Sequence, residues 1–133
     1  MESHLPIKPS DSELLILQVL WQQGASTVKE VNEQLNKDKP TGYTTTLKLM
    51  QIMYEKGLVT RTSEGAKGRS HIYYAAVKEA QVSRHLLNNF VDRVFQGSVA
   101  KLVMRALGNA KTSKEELEQI RAFLDKMEKD NPS

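Results

Sequence analysis

The hydrophobic pattern of this chain changes its period at Gly57, and that change constrains the fold more than any other feature. Before Gly57, apolar side chains recur every three or four residues, which is typical of amphipathic helices. After it come two short β-rich runs, 58–62 and 71–75, separated by a loop that contains glycines and basic residues. The chain is therefore expected to place a group of helices ahead of one β-hairpin.

Capping and helix-breaking residues divide the first part into three helices. The first helix follows a capping serine and ends at Gly24, and Ser26 or Thr27 caps a short second helix. A breaker-rich connection over 37–42 leads to a third helix over 43–56. Three helices followed by a hairpin are the order of a winged helix-turn-helix domain.

The predicted third helix has two different faces. Its apolar side is formed by Leu47, Leu49, Met50, Met53 and Tyr54. Its polar side is formed by Thr44, Thr45, Lys48, Gln51 and Glu55. In a winged helix-turn-helix domain the third helix enters the major groove of DNA, so a polar outer face is the face expected there.

The segment after residue 76 is helical again and carries more apolar surface than one surface helix needs. Its last part has a heptad-like seam with charged flanks. Packing against the first domain is one alternative, and a subunit interface is the preferred one. The predicted interface residues are Phe90, Val94, Phe95, Leu102, Val103, Leu117, Ile120, Leu124 and Met127. The predicted fold class is mostly α with a small β hairpin: a winged-helix domain over 1–76 and a C-terminal helical dimerisation arm over 77–133.

The charge of the chain is unevenly distributed. The formal net charge is +3. Residues 39–75 contain six basic and two acidic side chains, whereas residues 1–38 contain three basic and six acidic ones. A local basic segment is a candidate surface for phosphate, although a solvated face without a ligand has the same composition.

Several classes of protein are excluded or disfavoured by what the sequence lacks. It has no cysteine, which excludes disulfides, thiolate metal sites and a cysteine nucleophile. No stretch is apolar over the length that a membrane-spanning helix needs, so we expect no membrane insertion and a cytoplasmic location. His4, His71 and His85 lack the spacing of a metal site, and no catalytic motif is present. We therefore expect no enzyme activity, no metal and no cofactor.

The candidate DNA contacts lie on the third helix and on the hairpin. They are Tyr43, Thr44, Thr45, Lys48, Gln51, Arg61, Lys67 and Arg69. Threonine and lysine on a groove-facing helix can contact bases or phosphates, and basic residues of a wing contact the backbone. Two alternatives remain open at this point: Thr44 is only a helix cap, and Arg61 pairs with Glu64 instead of DNA.

The chain resembles the BlaI/MecI/CopY family of bacterial repressors over about residues 12–127. The matching segments are Tyr43-Thr44-Thr45, Leu49 to Met53, Glu55-Lys56-Gly57-Leu58-Val59, Gly68-Arg69 with Tyr73, and Asn89-Phe90 through Leu102-Val103. The resemblance implies a homodimer that binds a palindromic operator in double-stranded DNA. In the β-lactam-responsive branch it also implies release from DNA after cleavage of the arm by a membrane metalloprotease sensor.

Three departures from the family pattern limit what the resemblance implies. The copper-responsive members carry paired Cys-x-Cys motifs, and the lack of cysteine here excludes that kind of sensing. The family's Asn-Phe cleavage bond corresponds to Arg105-Ala106 in this chain. Ile52 stands where the family usually has arginine, and Lys48 where it often has threonine, so the operator is expected to differ.

Two other classes of function compete with a DNA-binding repressor. A winged helix can also serve as a protein-docking domain, but a docking helix usually presents apolar anchors, and the polar face of the third helix disfavours that use. A ligand-sensing regulator would need an apolar pocket between the domain and the arm.

Overall fold

The computed structural model describes residues 8–62, 71–109 and 111–131. The helices are α1 (Asp11–Gln23), α2 (Val28–Leu35), α3 (Tyr43–Lys56), α4 (Glu79–Val94), α5 (Val99–Asn109) and α6 (Lys114–Asp130), and the strands are β1 (Val59–Arg61) and β2 (Tyr73–Ala75). Three helices thus precede two antiparallel strands, and more helices follow. The predicted fold class, mostly α with a small β hairpin in a winged helix-turn-helix domain, is confirmed.

Reciprocal hydrogen bonds cap the first two helices. The Ser10 hydroxyl accepts from the Glu13 amide, and the Glu13 carboxylate accepts from the Ser10 amide at 2.9 Å. Thr27 and Glu30 form the same capping box at the start of α2, so Thr27 rather than Ser26 is the cap. These boxes satisfy amides that the first turn of a helix leaves without partners. They fix where α1 and α2 begin.

The first compact unit, residues 1–87, contains the buried core. Its fully buried apolar side chains are Ile16, Leu17, Val31, Met50, Met53, Leu58, Val59, Tyr73 and Val82. Val77, just before α4, and Val82, in its first turn, belong to this core, and the indole of Trp21 donates to the Val77 carbonyl at 3.0 Å. The division between compact units lies within α4, after Leu87. The limits predicted for the two domains, 1–76 and 77–133, stay a prediction.

The small sheet has a further partner that the sequence pattern did not indicate. Val59 pairs with Ala75, and Arg61 with Tyr73. Ser26, in the connection between α1 and α2, forms an antiparallel bridge to Tyr73, with amide-to-carbonyl distances of 3.1 and 2.8 Å. The hairpin is therefore hydrogen-bonded to the connection that precedes α2.

Gly57 separates α3 from β1. Its φ of 85° is in the left-handed region, which glycine adopts without strain, and its amide donates to the last carbonyls of α3. The chain thereby leaves the helix and enters the strand within two residues. This short link keeps β1 next to the end of α3.

The second compact unit, residues 88–133, has little buried side-chain surface of its own. No side chain of α5 or α6 is buried, as judged over 99–109 and 114–130. The rings of Phe90 and Phe95 make an edge-on contact with centroids 5.8 Å apart. Across the three described ranges, no helix is both long and apolar enough to span a membrane.

Candidate nucleic-acid interface

The buried residues of helix α3 fix the rotation of the helix about its own axis. Thr46, Met50 and Met53 are fully buried and recur on one side of the helix. The Thr46 hydroxyl accepts from the Asn32 side-chain amide at 2.9 Å and donates to the Gly42 carbonyl at 3.3 Å. A polar residue can occupy the core here because its hydrogen bonds are satisfied.

The predicted contact residues of α3 lie on its exposed side. Tyr43, Thr44, Thr45, Lys48 and Gln51 all have exposed side chains. They cover the first two turns of the helix and continue into the third. The N-cap residue is Gly42, which has no side chain, so the alternative that Thr44 is the cap is excluded. The structure thus brings these five predicted residues together on one solvent-facing surface.

A pair of asparagines closes the turn between α2 and α3. The Asn36 carboxamide accepts from the Thr41 amide at 2.9 Å and donates to the Thr41 carbonyl at 3.0 Å. Asn32 donates to the same carbonyl at 2.9 Å. These bonds fix the residues directly before α3, and with them the position of the helix start. Sequence reasoning missed both asparagines, because nothing in their spacing distinguishes them from ordinary surface residues.

Tyr54 and Arg61 form a contact at the junction of α3 and β1. The Arg61 guanidinium carbon lies 3.9 Å from the centroid of the Tyr54 ring, and one guanidinium nitrogen is 3.4 Å from the Tyr73 hydroxyl. Tyr54 is 41% exposed, so its predicted place on the apolar face of α3 is wrong. The turn from α3 into β1 brings the Arg61 guanidinium over the Tyr54 ring, and the rest of the ring stays exposed to solvent. Arg61 thereby adjoins the exposed side of α3.

The remaining predicted wing contacts, Lys67 and Arg69, lie in 63–70, outside the described residues. Glu64, the alternative partner of Arg61, lies in the same range. Their roles stay predictions.

The end of α3 is tied to the start of α1 by an ion pair. Lys56 Nζ lies 2.9 and 2.8 Å from the two carboxylate oxygens of Glu13, whose side chain is almost fully buried. Burial alone would raise the pKa of Glu13, but hydrogen bonds from Lys56 and Ser10 and the charge of Lys56 lower the pKa below its usual value. Glu13 is therefore a buried carboxylate that stays ionised at neutral pH.

The predicted interface residues of the arm are largely on the surface of the second unit. Phe90, Val94, Val103, Leu117, Leu124 and Met127 are exposed, and Phe95, Leu102 and Ile120 are half-buried. Three exposed apolar side chains were missed: Val99, Met104 and Phe123. Phe123 is three residues after Ile120 and four before Met127, so a broader helical stripe would have included it.

Arg105 and Ala106, the predicted cleavage position, are exposed residues within α5. Their backbone is helical on both sides of the bond. No group of three or more potential metal ligands occurs among residues 8–62, 71–109 and 111–131.

Comparisons with known proteins identify the family. The penicillinase repressor family model matches residues 9–126. The methicillin resistance regulatory protein MecI of Staphylococcus aureus strain N315 is 23% identical over 117 residues, which cover 88% of this chain and 93% of MecI. The penicillinase repressor of Bacillus licheniformis is 24% identical over 116 residues, which cover 87% of this chain and 88% of that repressor.

Among solved structures, the chain is similar to the solution structure of the DNA-binding domain of the repressor BlaI. The TM-score is 0.49 at 25% identity, covering 61% of this chain and 93% of that domain. The curated relatives above are named as regulators and repressors, not as enzymes. Because the family model spans most of the sequence, the predicted resemblance is confirmed, and the chain belongs to the penicillinase repressor family of transcriptional repressors.

Proposed function

We propose that this chain is a homodimeric transcriptional repressor that binds a palindromic operator in double-stranded DNA. Helix α3 enters the major groove of each half-site, and the wing contacts the flanking backbone. The observation that carries the proposal is the exposed polar side of α3, from Tyr43 to Gln51, on a helix that a buried threonine and two buried methionines fix in place.

The side chains on this surface suit base and phosphate contacts. The hydroxyl of Thr45 can donate to or accept from a base edge, and its methyl group can pack against a thymine methyl. Lys48 lies one turn further along and can reach a guanine edge or a phosphate. The start of α3 has a glycine cap with no side-chain hydrogen bond, and its first amides carry the positive end of the helix dipole. All of these groups favour a negatively charged, hydrogen-bonding partner.

Dimer formation through the arm is the second part of the proposal. Large apolar side chains left on a surface mark interaction sites, and α5 and α6 bury none of theirs within their own unit. Two half-sites of a palindrome lie about 34–36 Å apart, one helical turn, and are read by two copies of one domain. A homodimer therefore matches the symmetry that the operator is proposed to have.

Relief of repression by a membrane metalloprotease sensor stays a prediction of the family resemblance. The Arg105–Ala106 bond lies within α5, and a protease needs its substrate in an extended conformation. Cleavage there therefore requires α5 to open locally. The different residue pair also predicts a protease specificity other than the one for Asn-Phe.

Selection of bound duplexes from random sequence, combined with size-exclusion chromatography in the same buffer, tests the proposed function. We expect a dimer that enriches one dyad-symmetric site. A well-behaved dimer that enriches no such site would contradict the proposal.

Lys48→Ala tests whether the exposed side of α3 contacts the enriched duplex. We expect it to lose about 1–3 kcal/mol of binding free energy on the enriched duplex and to relax preference at one base pair of each half-site. Lys78→Ala, at an exposed lysine before α4, is the matched control because it removes the same charge outside α3. Equal losses for the two variants would show that only overall charge matters.

A further inference from the structure

Tyr54 has no role in the proposed function, although it is an exposed aromatic residue beside the DNA-facing side of α3. It follows Gln51 by three residues, so the two side chains are neighbours on the helix surface. An exposed tyrosine ring under a guanidinium at 3.9 Å is a defined contact between two elements, α3 and β1. We therefore consider how this contact affects the charge and the position of the Arg61 side chain.

The geometry leaves the charge of Arg61 available. Its guanidinium stacks on a ring and approaches the Tyr73 hydroxyl, and neither of these groups neutralises it. Within 8–62, 71–109 and 111–131, the one ion pair joins Lys56 to Glu13, so no described carboxylate pairs with Arg61. A stacked guanidinium keeps its N–H donors in the plane of the fork, where they can bind a phosphate.

Stacking also reduces the conformational freedom that Arg61 loses on binding. A free arginine side chain samples many rotamers, and an ion pair with phosphate must order it. Here α3 supplies the ring below the guanidinium, and the buried Tyr73, its cross-strand partner, supplies a hydroxyl at its edge. The side chain is therefore held in place before any ligand arrives.

We propose that Tyr54 is a positioning residue for DNA binding: its ring holds the Arg61 guanidinium at the α3–β1 junction, where it binds one backbone phosphate next to the groove that α3 enters. This inference rests on the proposed function and deepens it. The contact is to phosphate, so it acts on all duplex sequences alike.

A double-mutant cycle on the duplex enriched by selection tests the proposal. Tyr54→Leu should weaken binding by roughly 3- to 5-fold, the size of an exposed cation–π contact, while Tyr54→Phe stays near wild type because the ring is kept. Arg61→Ala should weaken binding by roughly 10-fold and lower the salt slope by about 1. Tyr54→Leu should leave that slope nearly unchanged, because the charge remains.

The decisive comparison is Tyr54→Leu in the Arg61→Ala background. We expect no further loss of affinity there, because the ring acts only through the guanidinium. The same loss in both backgrounds would overturn the proposal, since Tyr54 would then act independently of Arg61. An unchanged salt slope in Arg61→Ala would also overturn it and would favour the pairing of Arg61 with Glu64.

Two further measurements separate this proposal from the proposed function. The side-chain NMR resonances of Arg61 should show a ring-current shift in wild type that Tyr54→Leu removes, with no DNA present. Thermal unfolding should give Tyr54→Leu a melting temperature within about 2 °C of that of wild type, since surface substitutions change stability little.

If wild type enriches an operator but the effects of the two substitutions are additive in the double-mutant cycle, only the proposed role of Tyr54 fails. If no duplex binds, both proposals fail.

Discussion

The two compact units of this chain use their apolar residues in opposite ways. In the first unit, α1, α2, α3, the two strands and the start of α4 bury their apolar side chains in one core, from Ile16 to Val82. In the second unit, α5 and α6 bury none, and Phe123 is 61% exposed. A core of the first kind stabilises a fold by itself, whereas surface of the second kind is stabilised when something else covers it. The comparison indicates that the winged-helix domain is stabilised by its own core, whereas the arm, we propose, is stabilised by association with another copy of the chain.

Breaking the proposed arm interface should have the largest effect. Leu117→Asp combined with Leu124→Asp places two charges on exposed apolar positions of α6, which would have to be buried in a dimer. We expect monomers in sedimentation and a loss of operator affinity of roughly 10²- to 10⁴-fold, because two half-sites are then bound independently.

The matched control puts charge on the other side of the same helix. Ala122→Asp combined with Lys129→Asp has the same seven-residue spacing and adds at least as much negative charge. This control should remain a dimer with operator affinity much closer to wild type. A dimer in both double variants would remove α6 from the interface.

Truncating one apolar side chain in each unit sharpens the comparison. Met50 is fully buried, so Met50→Ala should lower the free energy of unfolding by about 2–5 kcal/mol. Phe123→Ala should change it by no more than about 0.5 kcal/mol when both are measured by urea unfolding in the monomeric Leu117→Asp, Leu124→Asp background. Similar losses for the two would mean that the arm packs a core of its own.

Removing the buried carboxylate should have the smallest effect. Glu13→Gln keeps the size of the side chain and loses the charge opposite Lys56, so we expect a destabilisation of about 1–2 kcal/mol at neutral pH. Glu33→Gln, on the exposed side of α2, is the control and should be close to neutral.

The pH dependence of that difference has a defined sign. The folded-state pKa of Glu13 is lowered, so its stabilisation is fully present above the ordinary pKa that the residue has in the unfolded chain and is lost as pH falls through the lower folded-state pKa. The difference between wild type and Glu13→Gln should therefore shrink in acid. A difference that stays constant in urea unfolding from about pH 7 to about pH 3 would show that the charge is not its source.

The sequence predicted the order of the elements and the limits of α3 because those depend on local signals. The signals for α3 are the spacing of its apolar residues, the glycine that follows it and the polar side chains from Thr44 to Gln51. Each of these can be recognised within one or two helical turns of sequence. The surplus of apolar side chains in the helices after residue 76 could be predicted for the same reason. Burial of a charged residue such as Glu13 was not, because its partner Lys56 is distant in sequence.

The interactions that sequence reasoning missed join residues from different elements. Tyr54 fitted the apolar stripe of α3, and only the turn into β1 brings Arg61 over its ring. The bonds of Asn32 and Asn36 to Thr41 depend on how the chain returns after α2. Such contacts depend on tertiary geometry, which propensity and periodicity do not encode.

The bridge between Ser26 and Tyr73 has a consequence for association with other chains. A two-stranded hairpin ordinarily offers two open edges, and each can template the addition of a foreign strand. At Tyr73 the outer edge of β2 is already occupied, because its amide and carbonyl are both bonded to Ser26. A protein that presents its wing on the surface thereby closes one route to edge-to-edge aggregation, using a single residue of a helix connection in place of a full third strand.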